Sequence, residues 1–195
     1  MNAEDRKVIS NAKRLLRDAV LLKDHERYAS AYALAILGLE EIGKVILKRW
    51  GEPDKERRWH LNKQMAVAAL VLMDDVRRRI REETSDPSQL TPDVFERVAM
   101  AAMEGETGQF SATVRSKLLD GWKQFALYND GEFADAGLQS DQVTLADVEF
   151  MFKAFWTALN LISDGPAMEL AKGHFFTQKK WAKRLSGPIR FPRPT

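Results

Sequence analysis

The stretch from Arg27 to Trp50, RYASAYALAILGLEEIGKVILKRW, decides the fold. Tyr28, Tyr32, Ala35, Leu39, Ile42 and Ile46 alternate steps of four and three residues, the spacing of one helical stripe. Leu34, Ile36, Leu37, Val45 and Leu47 cover much of the remaining circumference. A helix that is apolar nearly all round needs neighbours on every side, so this one is predicted to be the buried centre of a bundle. Between Arg27 and Lys48 only Glu40, Glu41 and Lys44 carry charge, which places one polar patch near the C-terminal end. Gly51 and Pro53 stop the helix.

The flanking sequence supplies the neighbours. Upstream, Asn2 to Asp24 carries Val8, Leu15, Ala19 and Leu22 at helical spacing, with Ile9, Ala12 and Leu16 beside them. Downstream, Glu56 to Glu83 shows Leu61, Met65, Ala68, Ala69, Leu72, Val76 and Ile80 on one broad face. Thr84 to Ser88 reads as a loop. Thr91 followed by Pro92 is a helix start, and that helix is predicted to run to about Met103. Gly105 and Gly108 break the chain, and a further helix spans Ser111 to Leu127. Asn129-Asp130-Gly131 is a turn signal that leads into irregular sequence. Thr144 caps a last long helix, predicted to end near Ala171, with Asp147 placed for a reciprocal capping bond. Strand-like alternation is absent. The prediction is an all-α bundle of five to six helices over residues 1–171, with a basic aromatic tail over 172–195.

Composition narrows the function classes. The 195 residues include no cysteine and only three histidines, His25, His60 and His174. Disulfides, thiolate zinc sites, iron–sulfur clusters and a cysteine nucleophile are excluded, and no metal or cofactor is expected. The charged start Met1 to Arg6 lacks the apolar core of a signal peptide. The uncharged run Tyr28–Leu39 is too short to cross a bilayer, so the expected location is the cytoplasm with no membrane contact. The net charge of +2 hides an asymmetry: seven of the thirty basic residues and none of the acids follow Glu169. Phe175, Phe176, Trp181 and Phe191 interleave with those cations, a mixture that suits single-stranded RNA. Lys179, Lys180, Lys183 and Arg184 are the RNA-binding candidates. The alternative is that the aromatics pack onto the bundle and the lysines are merely solvated.

The polar patch of the central helix is the candidate site. Glu41 and Lys44 lie about 60° apart on the helix, and Glu40 and Lys44 about 40° apart. After a short loop the next helix opens at Glu56, and its first turns carry His60, Lys63 and Gln64. An antiparallel packing of the two would bring Glu41, Lys44, His60 and Lys63 together. A histidine can move a proton near neutral pH, a lysine can stabilise phosphate charge, and a glutamate can orient either. That set suffices for RNA cleavage without a metal, because the 2′-hydroxyl supplies the nucleophile. A structural ion-pair network is the alternative. Asp74-Asp75-Val76-Arg77-Arg78-Arg79 reads as a solvated charged face. Glu56 and His60 lack the spacing of a di-iron bundle ligand pair. Asn11 and Asp18, seven residues apart on the first helix, either bond to the second helix or face solvent. His25 sits in a charged helix junction and is expected to be exposed.

Ala29 to Lys44, ending Glu40-Glu41-Ile42-Gly43-Lys44 and followed by His60-x-x-Lys63, resembles the AbiV-type abortive-infection proteins of the HEPN superfamily. Asn11-Ala12 and Asp18-Ala19 fit the opening of that family, and Phe125 to Asp130 fits a later segment. The resemblance spans roughly residues 8–165. It implies a helical bundle, often a homodimer, that works as a toxin-like effector in bacterial phage defence. RNA or the translation machinery is the implied target, and a phage or cellular protein the implied trigger. Many HEPN relatives are metal-independent ribonucleases with an Arg-x(4–6)-His motif. Here the positions upstream of His60 hold Lys55, Asp54 and Pro53, and neither His25 nor His174 has an arginine at that spacing. Two readings follow: an endoribonuclease in which Glu41, Lys44, His60 and Lys63 replace that motif, or a non-catalytic module that binds a protein or RNA partner.

Overall fold

In a computed structural model of the chain, the structure describes residues 1–84, 86, 90–127 and 143–185, apart from the side chains of 125–127 and 181–185. These residues form nine helices and no strand: α1 (Ala3–Asp24), α2 (Tyr28–Arg49), α3 (Asp54–Arg57), α4 (His60–Glu83), α5 (Pro92–Glu104), α6 (Glu106–Arg115), α7 (Leu118–Leu127), α8 (Leu145–Leu161) and α9 (Gly165–Leu185). The all-helical class agrees with the sequence, and α2 is the centre, packed against α1, α4, α7 and α8. Ala35, Ile36, Leu39, Ile42, Ile46 and Leu47 on α2 are all fully enclosed. Around α4, the helices α5, α6 and α9 complete the bundle.

Three splits raise the count above the five or six helices expected. The helix predicted from Glu56 does not run unbroken: α3 ends at Arg57 and α4 starts at His60. The predicted helix from Ser111 begins earlier, at Glu106, and Gly108 lies inside it rather than breaking it. It then bends at Lys117, whose φ of 62° is left-handed, so α6 and α7 are separate. The long last helix is also two. Asp164 accepts a hydrogen bond from the Ala167 amide at 3.0 Å and restarts the chain as α9. Thr91 and Thr144 cap their helices as the sequence indicates, and Asp147 returns the bond to Thr144. The turn at Asn129-Asp130-Gly131 lies outside the described residues.

The expected boundary between 171 and 172 falls inside α9. Phe175 is fully buried against Trp50, with ring centroids 5.2 Å apart, and Trp50 Nε1 donates to the Met168 carbonyl at 3.1 Å. As far as Leu185 the segment is therefore a helix of the bundle that packs on α4. Pro188, Phe191, Pro192 and Pro194 lie outside the described residues.

One contact sets the spacing of the central pair. A Cβ added to Gly43 would stand 2.4 Å from the Lys63 carbonyl oxygen and 2.8 Å from its carbon. Helices α2 and α4 therefore touch backbone to backbone, and glycine is the residue that lets them. Gly173 on α9 is exposed, with open space around the same point. Gly43→Ala is expected to lower stability by about 1–3 kcal/mol through overpacking. Gly173→Ala is expected to raise it by about 0.5–1 kcal/mol through helix propensity. Guanidinium unfolding of both variants measures the contrast, and a gain at both positions would show that the α2–α4 contact is not formed.

Candidate functional site

The Gly43 contact delivers the first turn of α4 to the polar end of α2. There Glu40, almost wholly enclosed, gathers four side chains. Its Oε1 accepts from Gln64 Nε2 at 2.8 Å and from Lys123 Nζ at 2.7 Å. Its Oε2 meets His60 Nδ1 at 2.5 Å and lies 3.5 Å from Lys63 Nζ. Lys123 comes from α7 and is also 2.6 Å from Asp120 one turn earlier. The buried centre thus joins α2, α4 and α7.

The electrostatics follow from burial against pairing. Burial alone would raise the Glu40 carboxyl. The hydrogen bonds from Lys123, His60 and Gln64 and the Lys123 charge outweigh it and hold Glu40 below the usual carboxylate range. Lys63 goes the other way from most paired lysines. Its own burial, helped by the Lys44 charge, lowers it despite Glu40 and Glu41. Lys123 is raised: burial opposes the charged form, but its bonds to Asp120 and Glu40 win.

The ring of His60 is half in and half out. Nδ1 faces buried Glu40, while 52% of the side chain is exposed to solvent. An Nδ1–H donated to the carboxylate leaves the Nε2 lone pair directed away from it. His60 opens onto a cleft of about 400 Å³ that Arg58, Trp59, Leu61, Lys117 and Asp120 also line. The donor atoms of Glu40, His60 and Asp120 lie within 4.8 Å of one another, a spacing that could hold a metal ion. Lys123 Nζ, however, stands 2.7 Å from Glu40, 2.6 Å from Asp120 and 3.3 Å from His60 Nδ1. The protein's own ammonium takes the place that a cation would need.

Of the four candidates from the sequence, His60 and Lys63 meet, and they do so through Glu40. Glu41 is not the carboxylate beside His60. One residue further round the helix, it pairs with Lys44 on a more exposed face. Lys44 and Lys63 share a second cleft of about 410 Å³ with Lys48, Arg57 and Arg58, where Glu4, Asp5 and Asp54 also sit. Glu40, Lys123 and Asp120 were missed as site residues. The burial of Glu40 has a signal in the sequence, since Glu40, Gly43 and Leu47 fall on one face of α2. Lys123 has none, because α7 returns to α2 only in three dimensions.

The other charged candidates resolve as follows. Lys179 is tied to Glu52 at 2.6 Å and Glu56 at 2.8 Å, while Lys180 is exposed. The side chains of Lys183 and Arg184, and that of Trp181, lie outside the described residues. Asp75 is not on a solvated face. It is buried, bonded to Thr107 at 2.9 Å and to Arg78 and Arg79. Asn11 and Asp18 both accept from Arg14 of their own helix, and His25 is exposed.

A family model described as AbiV, a HEPN family, matches residues 4–152. No curated protein and no solved structure matches the chain. The matched span contains Glu40, His60, Lys63, Gln64 and Lys123.

A group held below its ordinary pKa stays ionised in the folded chain where the unfolded chain already protonates it. The contribution of Glu40 is therefore complete above its ordinary pKa and lost as pH falls through the folded value. Glu40→Gln leaves two buried lysines without their shared counter-charge and is expected to cost about 3–5 kcal/mol at pH 7. It should also flatten the loss of stability below about pH 4, leaving Asp75 and Asp164 to supply the remainder. Urea midpoints of wild type and variant between neutral and acid pH test this. Parallel curves would mean that the Glu40 carboxylate is not a source of the acid sensitivity.

Proposed function

The chain belongs to the AbiV-type HEPN family of abortive-infection proteins, and we propose that it acts in phage defence by cutting RNA, with His60 as general base and no metal ion. The observation that carries this reading is the division of the His60 ring between a buried carboxylate and an open cleft.

The chemistry needs a group that takes the proton of a ribose 2′-hydroxyl. His60 Nε2 is the ring nitrogen available for this, because Glu40 holds the half-exposed ring by the other one. Glu40 also stays ionised, so it stabilises the imidazolium that forms when the proton arrives. The 2′-oxygen then attacks the adjacent phosphorus, the 5′-oxygen leaves and takes a proton from water, and the products end in a 2′,3′-cyclic phosphate and a 5′-hydroxyl. Lys123 and Lys63 act through Glu40. They keep its charge in place and are positioning residues.

Purified protein incubated with total RNA in EDTA should produce cyclic-phosphate ends. His60→Ala should slow cleavage by about 100- to 10,000-fold, the worth of a general base, while lowering stability only by about 1.5–3 kcal/mol, the worth of its bond to Glu40, so that the variant stays folded. Equal cleavage by wild type and variant would remove His60 from the reaction. RNA left intact in a stable complex would make the protein a binder rather than a nuclease.

A further inference from the structure

Three side chains around His60 have no evident task in holding the fold together. Trp59 immediately precedes α4, is 61% exposed and makes no side-chain capping bond to the helix. Arg58 and Lys117 are both exposed, and among the described residues neither forms an ion pair. The other cations of the Glu40 cluster and of the adjoining cleft are neutralised. Lys44 is taken by Glu41, Lys48 by Glu4 and Asp5, Arg57 by Asp54, Lys63 by Glu40, and Lys123 by Glu40 and Asp120.

Lys117 is also held at a cost. It sits just past the end of α6 in the left-handed region, with φ 62°, where glycine or asparagine is the usual residue. A lysine there gives up stability that glycine would restore. Its side chain lines the cleft with Trp59, Arg58 and His60. Two unneutralised cations beside an exposed indole are complementary to one particular group: a flat base with a phosphate on either side.

We propose that Trp59, Arg58 and Lys117 form a subsite for one unpaired nucleotide of single-stranded RNA, the base stacked on Trp59 and the flanking phosphates on Arg58 and Lys117. The proposal deepens the reading of His60 as a general base and rests on it for the choice of ribose over deoxyribose. It favours single strands for two reasons. Stacking on an indole requires a base released from its own neighbours. A-form duplex also holds each 2′-oxygen out of line with the bond that must break, whereas a splayed nucleotide can bring the two into line.

The test separates binding from cleavage by using the full-length chain carrying His60→Ala, in EDTA. The probe is a short fluorescein-labelled RNA without self-complementarity, read by anisotropy alone and again after annealing to its complement. The single strand should bind, and Trp59→Ala should weaken it by about 5- to 100-fold, the range of one base–aromatic stack. Trp59→Phe should recover most of that loss. Arg58→Gln and Lys117→Gly should each lower the slope of log affinity against log salt by about 0.7, one phosphate contact apiece. Lys117→Gly should raise the melting temperature at the same time, an effect that no loss of a structural contact would give. The duplex should bind more weakly and be indifferent to Trp59→Ala. Single-strand affinity within twofold of the parent in Trp59→Ala, a duplex bound as tightly as the single strand, or no RNA binding would each overturn the subsite. Binding as described, with no cleavage by the wild type, would uphold the subsite and sink only the role of His60 as a base.

Discussion

A carboxylate cannot be buried alone, and Glu40 is buried at the point where three helices meet. The desolvation of an isolated carboxylate would push it toward its neutral form. Here two ammonium groups, an imidazole and an amide converge on its two oxygens, and their pairing outweighs burial and holds the carboxyl below its usual range. The requirement is strict, because each partner comes from another helix. Lys123 fixes α7 against α2, and His60, Lys63 and Gln64 fix the start of α4. The approach of α4 is possible only because Gly43 offers no side chain in the way. Surface pairs such as Glu41–Lys44 and Arg14–Asp18 are of a different order, worth about 0–1 kcal/mol each. They decorate a packing that Glu40 and its apolar neighbours determine.

The rest of the bundle repeats this device more weakly. Asp75 joins α4 to α6 through Thr107, and Arg77 joins α4 to the start of α9 through Asp164 at 3.1 Å. Lys179 closes the opposite end by binding Glu52 and Glu56. The consequence for function is a redistribution of charge. Part of the basic C-terminal segment is spent inside the fold, while Arg58 and Lys117, inconspicuous in the sequence, stand free next to His60. Charge counted along the chain pointed to the far end; in the cleft beside His60 the lining cations, Arg58 and Lys117, are left without an ion pair among the described residues.

The legible parts of the structure were those governed by local periodicity. The near-continuous apolar surface of α2 announced a central helix, and Thr91 and Thr144 announced helix starts, because a cap depends only on residues within one turn. The break at Asp164 was present in the sequence as Ser163-Asp164-Gly165-Pro166 but was hidden by apolar spacing that continues through it. The bend at Lys117 had no such signal, since lysine does not favour the left-handed conformation. The candidate site was half legible. Adjacency of α2 and α4 follows from their short connection, and it correctly joined His60 and Lys63 to the polar end of α2. It did not distinguish Glu40 from Glu41. That choice depends on a rotation of about 100° per residue, and the loop between the helices leaves their mutual rotation open. The Gly43 contact settles it by turning Glu40 inward.

This arrangement bears on the missing Arg-x(4–6)-His spacing. A sequence motif of that kind keeps a cation near a histidine by placing both on one stretch of helix. The phosphate it would serve responds to distance, and on the proposed reading Arg58 and Lys117, which line the cleft beside His60, meet that need. Arg58 precedes His60 by two residues across the non-helical start of α4, and Lys117 arrives from the corner between α6 and α7. The carboxylate that orients His60 comes from α2, twenty residues earlier, and the ammonium that keeps that carboxylate ionised comes from α7. Each part is held by the tertiary structure, so the site is only as intact as the packing of α7 on α2. A linear motif could persist in a loosened protein. This cluster cannot, because loss of the buried carboxylate's partners and loss of the His60 geometry are the same event.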